Sequence, residues 1–265
     1  MKSATQHIIA GKNLWIEQWQ VVKTPPGRTL IFLHEALGSV SLWKDFPQLL
    51  CETLSYNGLI YDRKGHGLSD AMDKPRDKNY LHEEALVDLR LIIEQFEIDQ
   101  PILIGHSDGG SIALIYAAHY PTTAVITAAA HSYVEMTGAG GIQYAIEQYQ
   151  QTVFREKLQK YHGEKTDTLF YAWADTWLSP HFADWEINSL LPKIQVPCLL
   201  LQGKEDEYAS AQHLFNMASQ IGSNAEAILI ENCGHTPHLQ AKKKTLQLMS
   251  DFILQHSPKA PSSLV

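Results

Sequence analysis

One serine flanked by glycines, Ser107 in the segment 105–110 (G-H-S-D-G-G), constrains this chain more than any other feature. Residues 101–104 before it predict a short buried strand, and the apolar residues 111–118 after it predict a helix. A strand that turns at once into a helix around G-x-S-x-G is typical of a nucleophile elbow. The tight turn favours Gly105 and Gly109, and it places the serine hydroxyl at a helix N-terminus, which stabilises negative charge. A glycine-rich turn without chemistry is the alternative, which this strand–turn–helix context disfavours.

Strands and helices alternate along most of the chain. An early antiparallel hairpin strand leads to a turn signal at residues 25–27, and a Ser/Pro-rich tail after the last helix is expected to fray. The predicted strands are residues 11–22, 29–34, 58–61, 101–104, 124–130, 196–203 and 227–230, and the predicted helices are residues 42–53, 81–96, 111–118, 212–221 and 245–255. This order predicts an α/β fold with a mostly parallel, eight-stranded sheet and helices on both faces.

The alternation stops between residues 133 and 190, where only helical patterns occur. This segment holds 11 of the 25 aromatic residues of the chain. We interpret it as a helical cap inserted after the sixth strand of a single domain spanning residues 1–265. Ordinary packed surface helices are the alternative, but they would not need so many aromatic side chains. Trp173 and Trp177 of the segment are candidate substrate-binding residues.

Composition and charge disfavour several classes of function. The net charge of −8 gives no sign of a nucleic-acid surface, and the chain has neither a signal-peptide pattern nor an apolar run that spans a bilayer. Cys51, Cys198 and Cys233 are widely spaced, which predicts reduced, buried thiols in a cytoplasmic protein. We therefore expect a cytoplasmic enzyme with a small-molecule substrate and without nucleic-acid or membrane partners. The oligomeric state is left open.

A serine nucleophile needs a general base that is oriented by a third group. Behind an elbow of this type, the acid and the histidine follow the serine in chain order. Asp206 ends a strongly apolar strand, and His235 lies on the loop after the last strand. The sequence therefore predicts a catalytic triad of Ser107, Asp206 and His235. Glu205 and Glu207 are the alternatives to Asp206.

The other histidines are expected to play lesser roles. His238 is predicted to line the pocket or to cap the last helix. With His235 it could bind a metal ion, but no third ligand has a suitable spacing, so we expect neither a metal nor a cofactor. Most of the 13 histidines of the chain, such as His119, His162 and His256, are expected to be solvated.

Acyl transfer also requires hydrogen-bond donors for the oxyanion. One donor should be the backbone N–H of Asp108, the residue after the nucleophile. The other should come from the loop 33–39 (L-H-E-A-L-G-S), with Ala36 as the best candidate and Leu37 as the next.

Three motifs together resemble the α/β-hydrolase superfamily over essentially the whole chain: the loop 34–39, the segment 62–69 (D-R-K-G-H-G-L-S) and the elbow. Within the superfamily, residues 107–110 (S-D-G-G) and the approach to the seventh strand at residues 185–197 resemble the valacyclovirase-like (biphenyl-hydrolase-like) esterases. Enol-lactone hydrolases are a second near relative by pattern. The resemblance implies the α/β-hydrolase fold and a serine hydrolase that cleaves a small carboxylic ester or lactone through an acyl-serine. A C–C bond hydrolase of a ring-cleavage product and a hydrolase-like ligand receptor are the alternatives.

The resemblance also bears on single residues. It implies that the Asp62/Arg63 pair is structural and ties loops together. The acid that corresponds to Asp108 holds a substrate amino group in valacyclovirase-like enzymes; a helix-end charge is the simpler alternative. One departure is Glu35, which stands where the usual loop has glycine after histidine. We expect its carboxylate to point away from the oxyanion site or to pair with a cation in the pocket.

Overall fold

Eight β-strands form one sheet in this protein, whose computed structural model describes residues 1–21 and 28–257. The strands are β1 (Lys2–Ile9), β2 (Lys12–Trp19), β3 (Thr29–Leu33), β4 (Asn57–Tyr61), β5 (Ile102–His106), β6 (Ala124–Ala128), β7 (Cys198–Gly203) and β8 (Ala225–Ile230). Their order in the sheet is β1-β2-β4-β3-β5-β6-β7-β8; β2 is antiparallel to both its neighbours, and β3 to β8 are parallel. The predicted turn at residues 25–27 and residues 258–265 of the tail lie outside the described residues.

Helices cover both faces of the sheet. They are α1 (Phe46–Leu54), α2 (Tyr80–Glu83), α3 (Arg90–Gln95), α4 (Asp108–Ala117), α5 (Met136–Gln151), α6 (Phe154–His162), α7 (Thr166–Leu178), α8 (Ala211–Ile221), α9 (Pro237–Gln240) and α10 (Lys242–His256). The predicted α/β fold, with a mostly parallel eight-stranded sheet, is confirmed. None of the helices in the described part of the chain is both long and apolar enough to cross a membrane.

Strand β3 contributes side chains to the buried clusters on both faces of the sheet. Its side chains alternate between the faces of the sheet, so Leu30 and Phe32 join one buried cluster while Ile31 and Leu33 join the other. The first cluster includes side chains of α1 and α10, and the second includes side chains of α3, α4 and α8. A large apolar side chain buried in this way contributes roughly 1.5–3 kcal/mol. The three cysteines are free and buried, as expected.

Two elements differ from the sequence prediction. Strand β1 was not predicted because most of its side chains are exposed, so it has no apolar alternation; backbone pairing with β2 holds it. The helix predicted over residues 81–96 is interrupted between α2 and α3 by a π-helical turn, Glu84–Leu89. This turn buries two acidic side chains. Glu84 lies 3.8 Å from the guanidinium of Arg63, and Asp88 lies 2.9 Å from Lys64 Nζ.

Helices α5 to α7 lie between β6 and β7 in the chain, and the two ends of the segment that contains them are joined by backbone contacts. The Ile187 N–H donates to the Ser132 carbonyl at 2.7 Å beside an isolated bridge between Tyr133 and Glu186. The expectation that His162 is solvated is wrong. Its ring is buried at the end of α6, where it accepts the Gly67 N–H at 3.0 Å and donates to the Leu37 carbonyl at 3.0 Å.

Candidate active site

Ser107 stands at a sharp turn between β5 and α4. Its backbone has φ 52° and ψ −119°, a conformation that side-chain-bearing residues rarely adopt. A Cβ at Gly105 would overlap the backbone of Gly109, and a Cβ at Gly109 would overlap the carbonyl of Leu33. The turn is therefore as tight as the sequence predicts, and it holds a strained serine at the carboxyl edge of the sheet.

His235 and Asp206 meet at the ends of neighbouring strands. His235 Nδ1 lies 2.9 Å and 3.1 Å from the two carboxylate oxygens of Asp206, which also accepts the Tyr208 N–H at 2.9 Å. Of the three candidate carboxylates in this loop, Asp206 is thus the one bonded to His235, rather than Glu205 or Glu207. This bond orients the ring and leaves Nε2 for another partner.

Burial and pairing act in opposite directions on these two groups. Burial alone would raise the pKa of Asp206, but the hydrogen bond and charge of His235 hold that pKa below its ordinary value. Burial alone would lower the pKa of His235, but the Asp206 carboxylate raises it instead. The pair therefore favours an ionised Asp206 and a more basic imidazole at His235.

A cleft with about 660 Å³ of empty space, partly open to solvent, lies over this point. Ser107 and His235 both line it, as do the predicted substrate-binding residues Asp108, Trp173 and Trp177. The remaining lining residues are Glu35, Ala36, Leu37, His131, Val134, Glu135, Gly138, Ala139, Ile142 and Tyr208. Helices α5 and α7 therefore contribute apolar and aromatic side chains to the lining of the cleft.

The three residues predicted to supply oxyanion donors, Ala36, Leu37 and Asp108, all line the cleft. Asp108 begins α4, so its N–H has no acceptor within the helix. Neither this N–H nor that of Ala36 donates to another backbone group in the described part of the chain, and the same holds for Leu37. The predicted oxyanion donors are thus free to bind a ligand, and the choice between Ala36 and Leu37 stays open.

The side chain of Asp108 is turned into the protein. Only 1% of the residue is exposed, and its Oδ2 accepts the Tyr80 hydroxyl at 2.8 Å and lies 3.8 Å from the guanidinium of Arg63. The Tyr80 oxygen in turn accepts the indole N–H of Trp177 at 2.9 Å. The Asp108 carboxylate therefore already has a hydrogen-bond donor in Tyr80 and a cation in Arg63. Trp177, a predicted substrate-binding residue, is linked to this carboxylate through Tyr80.

The loop after β3 is fixed by the structural pair that the resemblance implies. The carboxylate of Asp62 accepts the backbone N–H groups of Val40 and Leu68 at 2.7 and 2.8 Å, and Arg63 donates to the Glu35 carbonyl at 2.8 Å. The Glu35 carboxylate lies 3.3 Å from Nδ1 of His106. The expected pairing of Glu35 with a cation thus has a candidate partner.

Sequence reasoning missed three polar residues of the cleft. His131, three residues after the end of β6, is buried next to His235. Burial, and after it the nearby histidines, lowers the pKa of His131 to about 3. Glu135 accepts the backbone N–H and hydroxyl of Ser210 at 2.8 and 2.7 Å, and the Tyr208 ring lies 4.6 Å from that of His235. The position of His131 after a predicted strand was a sequence signal that could have identified it. No such signal was available for Glu135 or Tyr208.

His238 differs from the prediction. It does not line the cleft but is buried in α9, with its ring 4.4 Å from that of Trp43. Burial lowers its pKa to about 3. No group of three or more His, Cys, Asp or Glu side chains suited to a metal ion occurs among the residues that the structure describes.

Comparisons with known proteins agree with this architecture. A model of the alpha/beta hydrolase family matches residues 30–248. The chain is 23% identical to a proline iminopeptidase of Saccharolobus solfataricus, covering 93% of this chain and 91% of that protein. It is also 23% identical to 3-oxoadipate enol-lactonase 1 of Acinetobacter baylyi, covering 92% and 94%. The solved structure of an esterase from Exiguobacterium antarcticum superposes with a TM-score of 0.75 at 20% identity, covering 95% of this chain and 100% of that one.

Proposed function

The chain belongs to the alpha/beta hydrolase family, and we propose that it is a serine hydrolase that cleaves a small carboxylic ester or lactone. The observation that carries this proposal is the hydrogen bond between His235 and Asp206, next to a cleft that both Ser107 and His235 line. Ser107 attacks the substrate carbonyl, His235 Nε2 takes its proton and returns it to the leaving group, and Asp206 fixes the ring. Water then cleaves the acyl-Ser107 ester by the same route.

The free N–H groups of Asp108 and Ala36 support stabilisation of the tetrahedral intermediate. Helices α5 and α7 supply the apolar wall, so we propose that the segment 133–190 acts as a cap that binds the acyl or alcohol group. Trp173 and Trp177 are its proposed contact residues. The single-domain organisation, the valacyclovirase-like branch and a cytoplasmic location stay predictions from the sequence.

The charge of the cleft favours an uncharged ester over an anionic substrate. Glu35, Asp108 and Glu135 line it, and none of its described lining residues is a lysine or an arginine. A dienoate ring-cleavage product carries a carboxylate, for which the described lining of the cleft offers no lysine or arginine. The C–C hydrolase alternative is therefore disfavoured on electrostatic grounds.

Fluorophosphonate labelling and ester turnover test the proposal together. Wild-type protein should be labelled at Ser107, located by mass spectrometry, and should hydrolyse p-nitrophenyl butyrate far above background. Ser107→Ala should abolish labelling and lower kcat by ~10³-fold or more, because triad members act as a unit.

Ser41→Ala is the matched control, since it removes a hydroxyl from an exposed position far from the elbow in sequence. It should keep both labelling and turnover. Near-full activity of Ser107→Ala would disprove the nucleophile assignment. A folded wild-type protein without any turnover would favour the ligand receptor.

A further inference from the structure

The carboxylate of Glu35, at the edge of the cleft, is held in a defined position over Gly38. A Cβ at Gly38 would overlap this carboxylate, so the glycine makes room for it. The Glu35 carbonyl accepts from Arg63 at 2.8 Å and from Gly38 N–H at 3.0 Å, which holds the residue in place. Its Oε2 lies 3.3 Å from Nδ1 of His106, the residue directly before Ser107.

His106 is completely buried, and both of its ring nitrogens face acceptors. Nδ1 faces the Glu35 carboxylate, and Nε2 lies 2.8 Å from the carbonyl oxygen of His235. A carbonyl oxygen cannot donate, so Nε2 must carry a proton to make its bond. An ionised carboxylate cannot donate either, so Nδ1 must carry a second one. With Glu35 ionised, both hydrogen bonds form together only if the ring is an imidazolium.

Three other buried histidines show the opposite pattern. His34, His162 and His213 each use one ring nitrogen to accept a backbone N–H, at 3.0, 3.0 and 2.9 Å. That nitrogen cannot carry a proton, so hydrogen bonding holds these rings neutral. His66 also has a carbonyl oxygen near each ring nitrogen, at 2.9 and 3.0 Å, but its Nε2 lies 3.2 Å from the guanidinium of Arg76, a donor that needs an unprotonated nitrogen. His106 has no such donor beside it in the described part of the chain.

We propose that Glu35 and the buried His106 form an ion pair, and that the imidazolium of this pair positions the loop of His235 relative to Ser107. The pair joins the three parts of the site. Glu35 precedes the oxyanion donor Ala36, His106 precedes Ser107, and the Nε2–H of His106 holds the backbone of His235 itself. His106 is thus a positioning residue, and this inference rests on the proposed function.

The groups around His106 are compatible with one positive charge. Besides Glu35 from the loop after β3, its titratable neighbours are His235, His238 and His131, whose elements pack against it. Burial lowers the pKa of His131 and His238 to about 3, so neither competes for the charge. Burial opposes ionisation of Glu35, but the bond and charge of His106 hold its pKa well below the ordinary range.

The protonation state of His106 can be read directly by NMR on the wild-type chain. In protein labelled with ¹⁵N-histidine, His106 should show two ring N–H groups at pH 7.5, whereas a neutral ring shows one. The His106→Asn variant assigns the signal. Glu35→Gln should reduce it to one ring N–H, because the amide can donate to Nδ1. Glu135→Gln removes a carboxylate from the same cleft without touching His106, so it should leave both ring protons.

Two His106 variants test the positioning role. In His106→Gln the amide nitrogen reaches the place of Nε2 and keeps the donor to His235, whereas the shorter side chain of His106→Asn loses it. We expect His106→Asn to lower kcat by about 10-fold or more with little change in KM, since a charge-assisted bond is lost. His106→Gln should restore most of this loss.

The outcomes separate the inference from the proposed function. A neutral His106 in wild-type protein overturns the ion pair, whatever the substrate, because the NMR signal does not depend on turnover. Equal loss of kcat in both variants overturns the positioning role and leaves His106 as packing. A protein with two ring protons but without Ser107-dependent turnover would contradict only the proposed function.

Discussion

The backbone N–H and the side-chain carboxylate of Asp108 lie in different surroundings. Its backbone N–H begins α4 beside Ser107, whereas its carboxylate lies behind the cleft against Tyr80 and Arg63. A substrate ammonium group would have to compete with a hydroxyl donor and a guanidinium for the same oxygen. The structure therefore favours the simpler alternative, in which Asp108 contributes local electrostatics and holds Tyr80.

Asp108→Asn separates these alternatives because it preserves the backbone donor. We expect kcat/KM to fall by the same factor for p-nitrophenyl butyrate and for an aminoacyl p-nitrophenyl ester of equal length. The free energy of unfolding should fall by about 1–2 kcal/mol, since the bond from Tyr80 loses its charge. Paired kinetics and urea unfolding measure both effects. A loss of about 10-fold or more confined to the aminoacyl ester would show that Asp108 binds the ammonium group.

At this scale, the sequence predicted the residues that follow strand ends. Ser107, Asp206 and His235 each lie where a parallel strand meets a loop, and such ends meet at one edge of the sheet. The partners of Glu35 and His106 could not be predicted in this way. A hydrogen bond between side chains 71 residues apart depends on ring orientation and on the space over Gly38, which no local pattern records.

Helix α7 contributes two tryptophans that differ in their surroundings. The indole N–H of Trp177 is used by Tyr80, so this residue supports the protein as well as the cleft. Trp173 packs against Phe170 and Tyr208 and makes no such bond in the described part of the chain. Trp173 is therefore the better probe of substrate contact.

Replacing Trp173 by Phe should enlarge the cleft and move substrate preference toward longer acyl chains. Trp185→Phe is the matched control, because Trp185 is buried against Phe182 without lining the cleft. Both variants should lose about 1–3 kcal/mol of stability through imperfect packing. Only Trp173→Phe should change the ratio of kcat/KM between octanoyl and acetyl p-nitrophenyl esters. An unchanged ratio in both variants would mean that Trp173 is ordinary core.

Elements with strong apolar patterns were predictable, whereas those held by polar contacts were not. The central strands and α8 follow their apolar runs closely. The π-helical turn Glu84–Leu89 was missed because it accompanies buried ion pairs with a distant segment. Strand β1 pairs with β2 along its whole length, and it was missed because Ile9 is its only buried residue.

Across the whole molecule, several histidine side chains are buried. Burial is the main cause that lowers the pKa of each of His34, His66, His131, His162, His213 and His238. The sequence count alone suggested solvated side chains, but the loops around the site use these rings as hydrogen-bond partners. The consequence is a fold whose stability depends on neutral imidazoles.

We expect the free energy of unfolding to fall as the pH drops below about 6.5. These histidines have lower pKa values in the folded chain, so the unfolded chain binds protons first. Their stabilisation is complete above the unfolded value and is lost as the pH falls through the folded value, about 3 for His131 and His238. Each contributes up to about 1.4 kcal/mol per pH unit in this range.

Urea unfolding at pH 7.5, 6.0 and 5.0 measures the slope. His213→Gln, whose amide oxygen can still accept the Ser132 N–H, should reduce the slope by up to one histidine's share. A stability that stays constant from pH 7.5 to 5.0 would contradict the neutral histidines.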